Sequence, residues 1–233
     1  MREKHQNDKR PTSYNRRLVV FAGDEINIIL NAHDVYDAVK AYFADMPKEG
    51  SACAGIAIFK SHMPYSDAYR IAEECCESGK QLMKKYEMKE VNYIDFHYCQ
   101  GAIGTDLESI REREVGEIIS KPWMIRYDPD QVFTKMDNKI DIKQIITLDM
   151  IDQLVNNLST CARTNIKGLL DCARHSESEL MTELTRMQLR RKTDSDAGDI
   201  ADIKGCDGET ISSDTLRKMV YDIVSVYDLW FRK

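Results

Sequence analysis

The chain has 233 residues, of which 42% are hydrophobic and 31% are charged, so it is long enough to fold around a sizeable core. Its net charge of −6 argues against a protein that binds nucleic acid over its whole surface, because such binding needs a concentrated basic face. No apolar run reaches the about 18 residues of a membrane-spanning helix, and the amino terminus is polar, so neither a membrane span nor a secretory signal is expected.

Seven cysteines are spread along the chain without the C-x-x-C or Cys/His spacing of a metal site. An odd set of this kind predicts free thiols in a reducing compartment rather than a disulfide framework. We therefore expect a cytoplasmic protein.

The first sixteen residues are polar and are predicted to form a flexible lead-in. Two β-like apolar runs follow, at residues 18–22 and 26–30, and the sequence Gly23-Asp24-Glu25 lies between them. Two such runs around a tight acidic turn predict a β-hairpin.

The next elements are predicted to alternate between helix and strand. Residues 34–45 place apolar side chains on one helical face, and residues 51–60 are small and apolar, as in a central strand that is buried on both faces. A second helix begins near residue 66, and residues 92–98 are a further strand candidate. The predicted order is therefore strand, acidic turn, strand, helix, strand, helix, strand.

After Gly101 the composition changes, and the remainder is predicted to be mainly helical. Residues 121–129 are interpreted as a connector that contains two prolines. Helices are predicted near 145–160, 163–191 and 214–230, with a flexible loop near 192–213. These patterns divide the chain into a lead-in (1–16), one domain (17–128) and a helical region (129–233).

The adjacent carboxylates Asp24 and Glu25 are the strongest candidates for chemistry. Mg²⁺ prefers hard oxygen ligands, and two carboxylates at a rigid turn suit metal-dependent phosphoryl transfer. Gly23 beside them would let a triphosphate approach the backbone closely. Gly-Asp-Glu is also ordinary turn chemistry, so a purely structural role remains the alternative.

Two other groups of residues have alternative interpretations. Asp95 and His97 alternate on a strand candidate and are interpreted as a polar pair at a sheet edge, with an acid/base pair as the alternative. A short basic and aromatic segment could instead stack on a base of a nucleic acid; it contains Arg111, Arg113, Lys121 and Trp123.

The order of these motifs resembles a known family. The acidic hairpin is followed by Ser51-Ala-Cys-Ala-Gly-Ile-Ala-Ile58, then by a helix that ends in Ser78-Gly-Lys80, then by Ile94-Asp-Phe-His97. This order resembles the second palm domain of the large subunit of type III CRISPR complexes, the CRISPR polymerase. It is similar, more distantly, to the GGDEF palm of diguanylate cyclases, and the resemblance covers about residues 17 to 128.

The resemblance implies an α+β fold, a ferredoxin-like palm of the nucleotidyl cyclase type with an antiparallel sheet, followed by a mainly helical region. It implies that Asp24 and Glu25 are catalytic residues that bind the metal, Mg²⁺ or Mn²⁺. It further implies that Gly23 and Lys80 contact a nucleoside triphosphate, the substrate or ligand. In this chain Ala22 replaces the first glycine of the usual Gly-Gly-Asp-Asp signature, and Glu25 replaces its last aspartate.

A palm of this family normally has a strand and a helix before the hairpin, whereas only sixteen polar residues precede Arg17. The first strand of the palm is therefore expected to be absent from this chain, and we expect a separate protein to supply the missing half or a second palm. The implied function is that of a subunit in antiviral defence that makes a cyclic or linear oligonucleotide signal. The alternative is a non-catalytic scaffold or nucleotide sensor, with RNA contacted through the complex and no membrane partner.

Overall fold

The computed structural model describes residues 16–47, 49–85, 90–99, 106–125, 145–191 and 199–231. In these ranges the strands are β1 (Arg16–Ala22), β2 (Glu25–Leu30), β3 (Cys53–Ile58), β4 (Asn92–Tyr98) and β5 (Trp123–Ile125). The helices are α1 (Val35–Asp45), α2 (Tyr65–Lys85), α3 (Leu107–Glu114), α4 (Leu148–Ser159), α5 (Arg163–His175), α6 (Glu177–Arg190) and α7 (Ser213–Trp230). The α+β class and the predicted order of elements through β4 are confirmed.

The described strands form two separate sheets. β1 and β2 make an antiparallel hairpin, as predicted, with an irregularity in the register between Leu18 and Val20. β3, β4 and β5 form a second sheet in that order. β3 is parallel to β4 and β5 is antiparallel to it, because α2 returns the chain to the end of the sheet at which β3 began. The second sheet is therefore mixed, and the prediction of an antiparallel sheet is correct for the hairpin and for the β4–β5 pair but wrong for the β3–β4 pair.

Helices cover both faces of the three-stranded sheet. α2 packs on the face that carries Cys53, Tyr93 and Met124. The opposite face carries Ile56 and Ile94 and belongs to the largest hydrophobic cluster, to which α1 and the helices α4 to α7 also contribute. Successive side chains of a strand point to opposite faces, which explains why these strands are apolar at nearly every position.

The position of β3 differs from the prediction of a central strand. Within the part of the chain that the structure describes, β3 pairs with β4 on one side and with no strand on the other. Most of its residues are accordingly only half-buried, whereas β4 is almost completely buried.

The aromatic residue Trp230 joins the carboxyl-terminal helix α7 to the sheet and to α1. Its ring centroid lies 4.7 Å from that of Phe96 on β4 and 5.5 Å from that of Tyr36 on α1. Large aromatic side chains bury much apolar area. These contacts therefore stabilise the packing of α7 against the amino-terminal half of the described structure.

Two predictions about the carboxyl-terminal half are wrong in detail. Residues 163–191 form two helices rather than one, because Ser176 has an extended backbone and its side chain accepts a hydrogen bond from the Glu179 amide as the cap of α6. β5 lies inside the predicted connector 121–129, where three consecutive apolar residues pair with β4.

Several predictions fall on residues outside the described ranges. These are the lead-in at residues 1–15, the domain boundary near residue 128 and the first part of the loop at 192–198. The described remainder of that loop contains neither a helix nor a named strand up to residue 212, and α7 begins at Ser213. Within the described ranges, none of the helices combines the length and apolar composition that a membrane-spanning segment requires.

Candidate functional site

The acidic turn is a two-residue loop between β1 and β2. Ala22 and Glu25 form the last pair of the hairpin, and Gly23 and Asp24 connect them. Gly23 has a φ of +61°, a conformation that tight hairpin turns require and that residues with a Cβ rarely adopt. Apart from Gly23 itself and its two chain neighbours, no described residue has an atom within 4 Å of the position that a Cβ on Gly23 would occupy, so the surface above the turn is open.

Glu25 is oriented by the first turns of α2. The Tyr69 hydroxyl donates a hydrogen bond to Glu25 Oε1 at 3.1 Å, and the Tyr65 hydroxyl donates one to Asn27 Oδ1 at 3.1 Å. The nearby carboxylates of Glu73 and then of Glu25 raise the pKa of Tyr69, so this phenol remains a donor at neutral pH. The sequence reasoning missed both tyrosines, because hydrogen bonds between distant segments leave no periodic pattern.

Lys80 lies apart from the acidic turn. It is exposed on α2, eleven residues after Tyr69, which corresponds to about 16 Å along the helix axis. Its positive charge instead acts on the thiol of Cys76. The structure therefore brings Gly23, Asp24 and Glu25 together but places Lys80 too far away to share a single phosphate with them.

The two carboxylates suit Mg²⁺ or Mn²⁺ in chemical type, because hard cations prefer oxygen ligands. Among the described residues there is no group of three or more His, Cys, Asp or Glu side chains arranged for a metal ion. Asp24 and Glu25 would thus supply part of a coordination shell, and Mg²⁺ commonly completes such a shell with water and substrate phosphates.

A second polar cluster is buried beneath α2 and α3. Arg111 Nη1 and Nη2 donate hydrogen bonds to Asp95 Oδ2 at 2.9 Å and to Oδ1 at 2.6 Å, and Ser78 Oγ also donates to this carboxylate. The exposed fraction is 1% for the side chain of Asp95 and 12% for that of Arg111. Asp95 is therefore an ion-pair partner on an inner strand, rather than part of a polar pair at the sheet edge.

The cluster continues to α7 through Lys121 and Asp222. Ser120 donates hydrogen bonds to Asp222 Oδ2 from its amide at 2.6 Å and from its hydroxyl at 2.8 Å. Lys121 Nζ lies 3.5 Å from Asp222 Oδ1 and 3.9 Å from the ring centroid of Phe96. Buried charges need partners of this kind, so Asp95 within an apolar strand was the signal in the sequence that a buried cation must exist.

These contacts overturn the interpretation of residues 111–123 as a surface that stacks on bases. Trp123 is completely buried and packs edge-on against Phe96. Arg111 and Lys121 are engaged by Asp95 and Asp222. The Trp123 ring is thus packed in the core, where a nucleic acid cannot reach it, and both cations already form ion pairs within the fold.

His97 supplies a testable pH dependence. Burial, followed by the positive charges of Lys121 and Arg111, lowers its pKa to about 4, and Asp95 opposes this shift. Glu114 Oε2 lies 3.8 Å from His97 Nε2, but burial and the two cations outweigh this carboxylate, so the imidazole is neutral at pH 7. A histidine in the unfolded chain has a pKa near 6.5. As the pH falls, the unfolded state therefore binds the proton before the folded state does.

We expect His97 to make the free energy of unfolding fall between pH 6.5 and pH 4, by on the order of 3 kcal/mol at the lower limit. Urea unfolding at several pH values in this interval measures the slope of the free energy of unfolding against pH. The variant H97Q should have a shallower slope than the wild type, and H175Q, a change at an exposed histidine, should retain the wild-type slope. Equal slopes for the wild type and H97Q would contradict the assignment.

The comparisons with known proteins do not connect this chain to a family. No protein-family model matches the sequence, and no curated protein matches it significantly. The likeness to the CRISPR polymerase palm therefore rests on the motifs within residues 17–128.

Proposed function

We propose that this chain is a palm-like subunit of an antiviral defence complex. It binds a nucleoside triphosphate with Mg²⁺ or Mn²⁺ at Asp24 and Glu25, in a reducing cytoplasm, and acts with a second polypeptide. The observation that carries the proposal is the open acidic turn, in which Gly23 permits a tight hairpin and Tyr69 orients Glu25. The defence setting rests on the motif resemblance alone.

The chemical contribution of this chain is the placement of two carboxylates at one rigid point. When bound, the divalent cation stabilises negative charge on the phosphates and activates an attacking hydroxyl. Tyr69 limits the rotation of the Glu25 side chain through its hydrogen bond, whereas Asp24 is exposed at the tip. Such a constellation supports transfer of a nucleotidyl group to a hydroxyl and thereby the synthesis of a cyclic or linear oligonucleotide.

The outer edge of β3 supports the proposal that a second polypeptide takes part. All six residues of β3 are apolar or glycine, and in the described residues nothing pairs with this edge. Natural edge strands usually carry a charge, a proline or a bulge that prevents association. β3 has no such protection, so we infer that a strand of another protein adds to it in the assembled complex.

The hairpin provides an apolar surface for the same partner. Glu25 and Asn27 point toward α2, so alternate residues of β2 point away from it. Those residues and their cross-strand partners are exposed hydrophobic side chains: Leu18, Phe21, Ile26 and Ile28. A two-stranded hairpin is marginally stable by itself, and a partner strand would both extend the sheet and cover this face.

The double variant D24N/E25Q tests the proposed site, because it keeps the shape of both side chains and removes both negative charges. We expect its affinity for Mg²⁺-ATP, measured by titration calorimetry, to fall at least about tenfold, or 1.4 kcal/mol. The control D37N/D45N removes two exposed carboxylates from α1 and should bind like the wild type. Equal binding by D24N/E25Q and the wild type would refute the site.

The role of the partner is tested with the same variants and the proteins encoded by neighbouring genes. We expect product formation to require the partner and to be lost in D24N/E25Q while the complex still assembles. A monomeric chain, identified by light scattering, that turns over nucleotide unaided would contradict the need for a second polypeptide.

The non-catalytic scaffold or nucleotide sensor is the second candidate. The specific observation that favours it is the position of Lys80, about 16 Å along α2 from Tyr69, together with the hydrogen bond that Glu25 already makes to Tyr69. The two functions differ in one measurement. In the assembled complex, a sensor binds Mg²⁺-ATP and releases it unchanged, whereas an enzyme converts it to a product.

A further inference from the structure

Two cysteines meet where β3 packs against α2. Cys76 Sγ donates a hydrogen bond to the backbone oxygen of Cys53 at 3.2 Å, and Cys53 Sγ faces the same stretch of α2, 3.1 Å from the position that a Cβ on Gly79 would occupy. Both residues are half-buried, and Cys53 begins β3, whose outer edge is unpaired in the described part of the chain. The pair is therefore close enough to react internally and accessible enough to meet a small oxidant.

Two glycines allow α2 to pack closely on β3, which explains why the two cysteines approach each other. A Cβ on Gly79 would lie 3.1 Å from Cys53 Sγ, and a Cβ on Gly55 would lie 1.8 Å from the backbone oxygen of Ala72. The absence of side chains at these two positions lets the helix backbone lie directly on the strand. Disulfides need Cβ atoms about 3.5–4.5 Å apart, a separation that neighbouring side chains reach only when their elements pack this tightly.

The charges around the pair give its two members different roles. The hydrogen bond from Cys53 and the charge of Lys80 lower the pKa of Cys76 to about 7, against the opposing effects of burial, Glu77 and Glu73. The same hydrogen bond and burial raise the pKa of Cys53. Because the thiolate is the nucleophile, Cys76 is the attacking sulfur and Cys53 the resolving thiol.

We propose that Cys53 and Cys76 form an oxidant-responsive site that closes to a reversible disulfide on reaction with a peroxide. The Cys76 thiolate attacks one oxygen of hydrogen peroxide, the O–O bond breaks, and hydroxide leaves, which yields a sulfenic acid. Cys53 then loses its proton and attacks Cys76 Sγ, the S–S bond forms, and the S–O bond breaks with release of water. The two thiols lose two electrons in total, and cellular dithiols reverse the reaction.

Three of the other cysteines lack this combination of exposure and activation. Cys75, the neighbour of Cys76, is completely buried, and burial raises its pKa. Burial also raises the pKa of Cys99, to about 11, and that of Cys172. The adjacent pair Cys75-Cys76 thus contains one inert and one reactive thiol, because successive helical residues face different surroundings.

A disulfide between these residues would link the outer strand covalently to α2. The strand could then shift less along the helix. The redox state of the pair would thereby alter the surface that the proposed partner strand meets, although the disulfide chemistry itself does not depend on the proposed function.

Mass spectrometry of the full chain tests the site. After brief treatment with hydrogen peroxide and blocking of remaining thiols, trypsin should release the peptide Glu49–Lys60 linked to Ile71–Lys80. Fragmentation between Cys75 and Cys76 identifies the bonded sulfur, and dithiothreitol should reverse the link. In C53A a dione probe should instead trap a sulfenic acid at Cys76, and the control C172A should form the link like the wild type.

The rate of alkylation by iodoacetamide at pH 7 gives a second measurement that needs no variant. We expect Cys76 to react at least about tenfold faster than Cys172, since a thiol with an ordinary or raised pKa is mostly protonated at this pH. Equal rates, or a disulfide that joins other cysteines while Cys53 and Cys76 remain reduced, would overturn the proposal.

Discussion

Replacement of Arg111 by methionine is expected to lower the free energy of unfolding by about 3–5 kcal/mol, the usual cost of removing one partner of a buried ion pair. Asp95 is buried on an inner strand, and both of its oxygens accept hydrogen bonds from Arg111. Methionine fills much of the same volume but donates no hydrogen bond. The variant would leave a buried carboxylate with Ser78 as its remaining side-chain donor.

A double-mutant cycle separates the ion pair from the packing of its side chains. D95N/R111M removes both charges and should be more stable than R111M, because no charge is then left buried alone. The matched control R113M changes an exposed arginine on the same helix and should alter stability by less than about 0.5 kcal/mol. Urea unfolding measures the four proteins of the cycle, which are the wild type, D95N, R111M and D95N/R111M, and also the control R113M. A loss in R111M no larger than that in R113M would contradict the role of the pair.

Replacement of Gly55 by alanine is expected to cost about 3 kcal/mol, at the upper end of the usual penalty for overpacking. The new Cβ would lie 1.8 Å from the backbone oxygen of Ala72 and 2.5 Å from the backbone nitrogen of Cys76. Both atoms belong to the backbone of α2, so a change of side-chain rotamer cannot relieve the clash. The whole helix would have to move away from β3.

Gly168 provides the matched control for this substitution. It lies within α5, and no described atom other than those of its chain neighbours and of the adjacent backbone of α5 lies within 4 Å of its Cβ position. Alanine is favoured over glycine inside a helix, so G168A should raise stability by about 0.5–1 kcal/mol. Thermal and urea unfolding should therefore shift in opposite directions for G55A and G168A. A shift in the same direction would contradict the close packing of α2 on β3.

Local patterns predicted the elements of the candidate site well. The acidic turn was predicted because Gly23 and its neighbours separate two apolar runs, and α1 was predicted because its apolar residues repeat with the helical period. These signals depend only on residues that are close in sequence. The same reasoning missed β5, a strand of three residues, because so short an apolar run carries no period of its own.

Such local patterns could not predict which of the site residues lie close to one another. Glu25 and Lys80 were assigned to one site through the family resemblance, yet Glu25 contacts the beginning of α2 and Lys80 lies near its end. The position of Trp123 shows the same limit. An aromatic residue two positions after a lysine resembles an exposed binding segment in sequence, but in the structure Trp123 belongs to the core.

The sequence by itself determined the hairpin, most helices, the α+β class and the exposed acidic turn, because turn chemistry and hydrophobic periodicity act over a few residues. Tertiary structure alone decided that β3 is an edge strand among the described residues, that Asp95 pairs with Arg111, and that Cys53 meets Cys76. Each of these features joins segments separated by 16 or more residues. Their partners are selected by the packing of α2 on the sheet, where the side-chain volume absent at Gly55 and Gly79 sets the distance of closest approach.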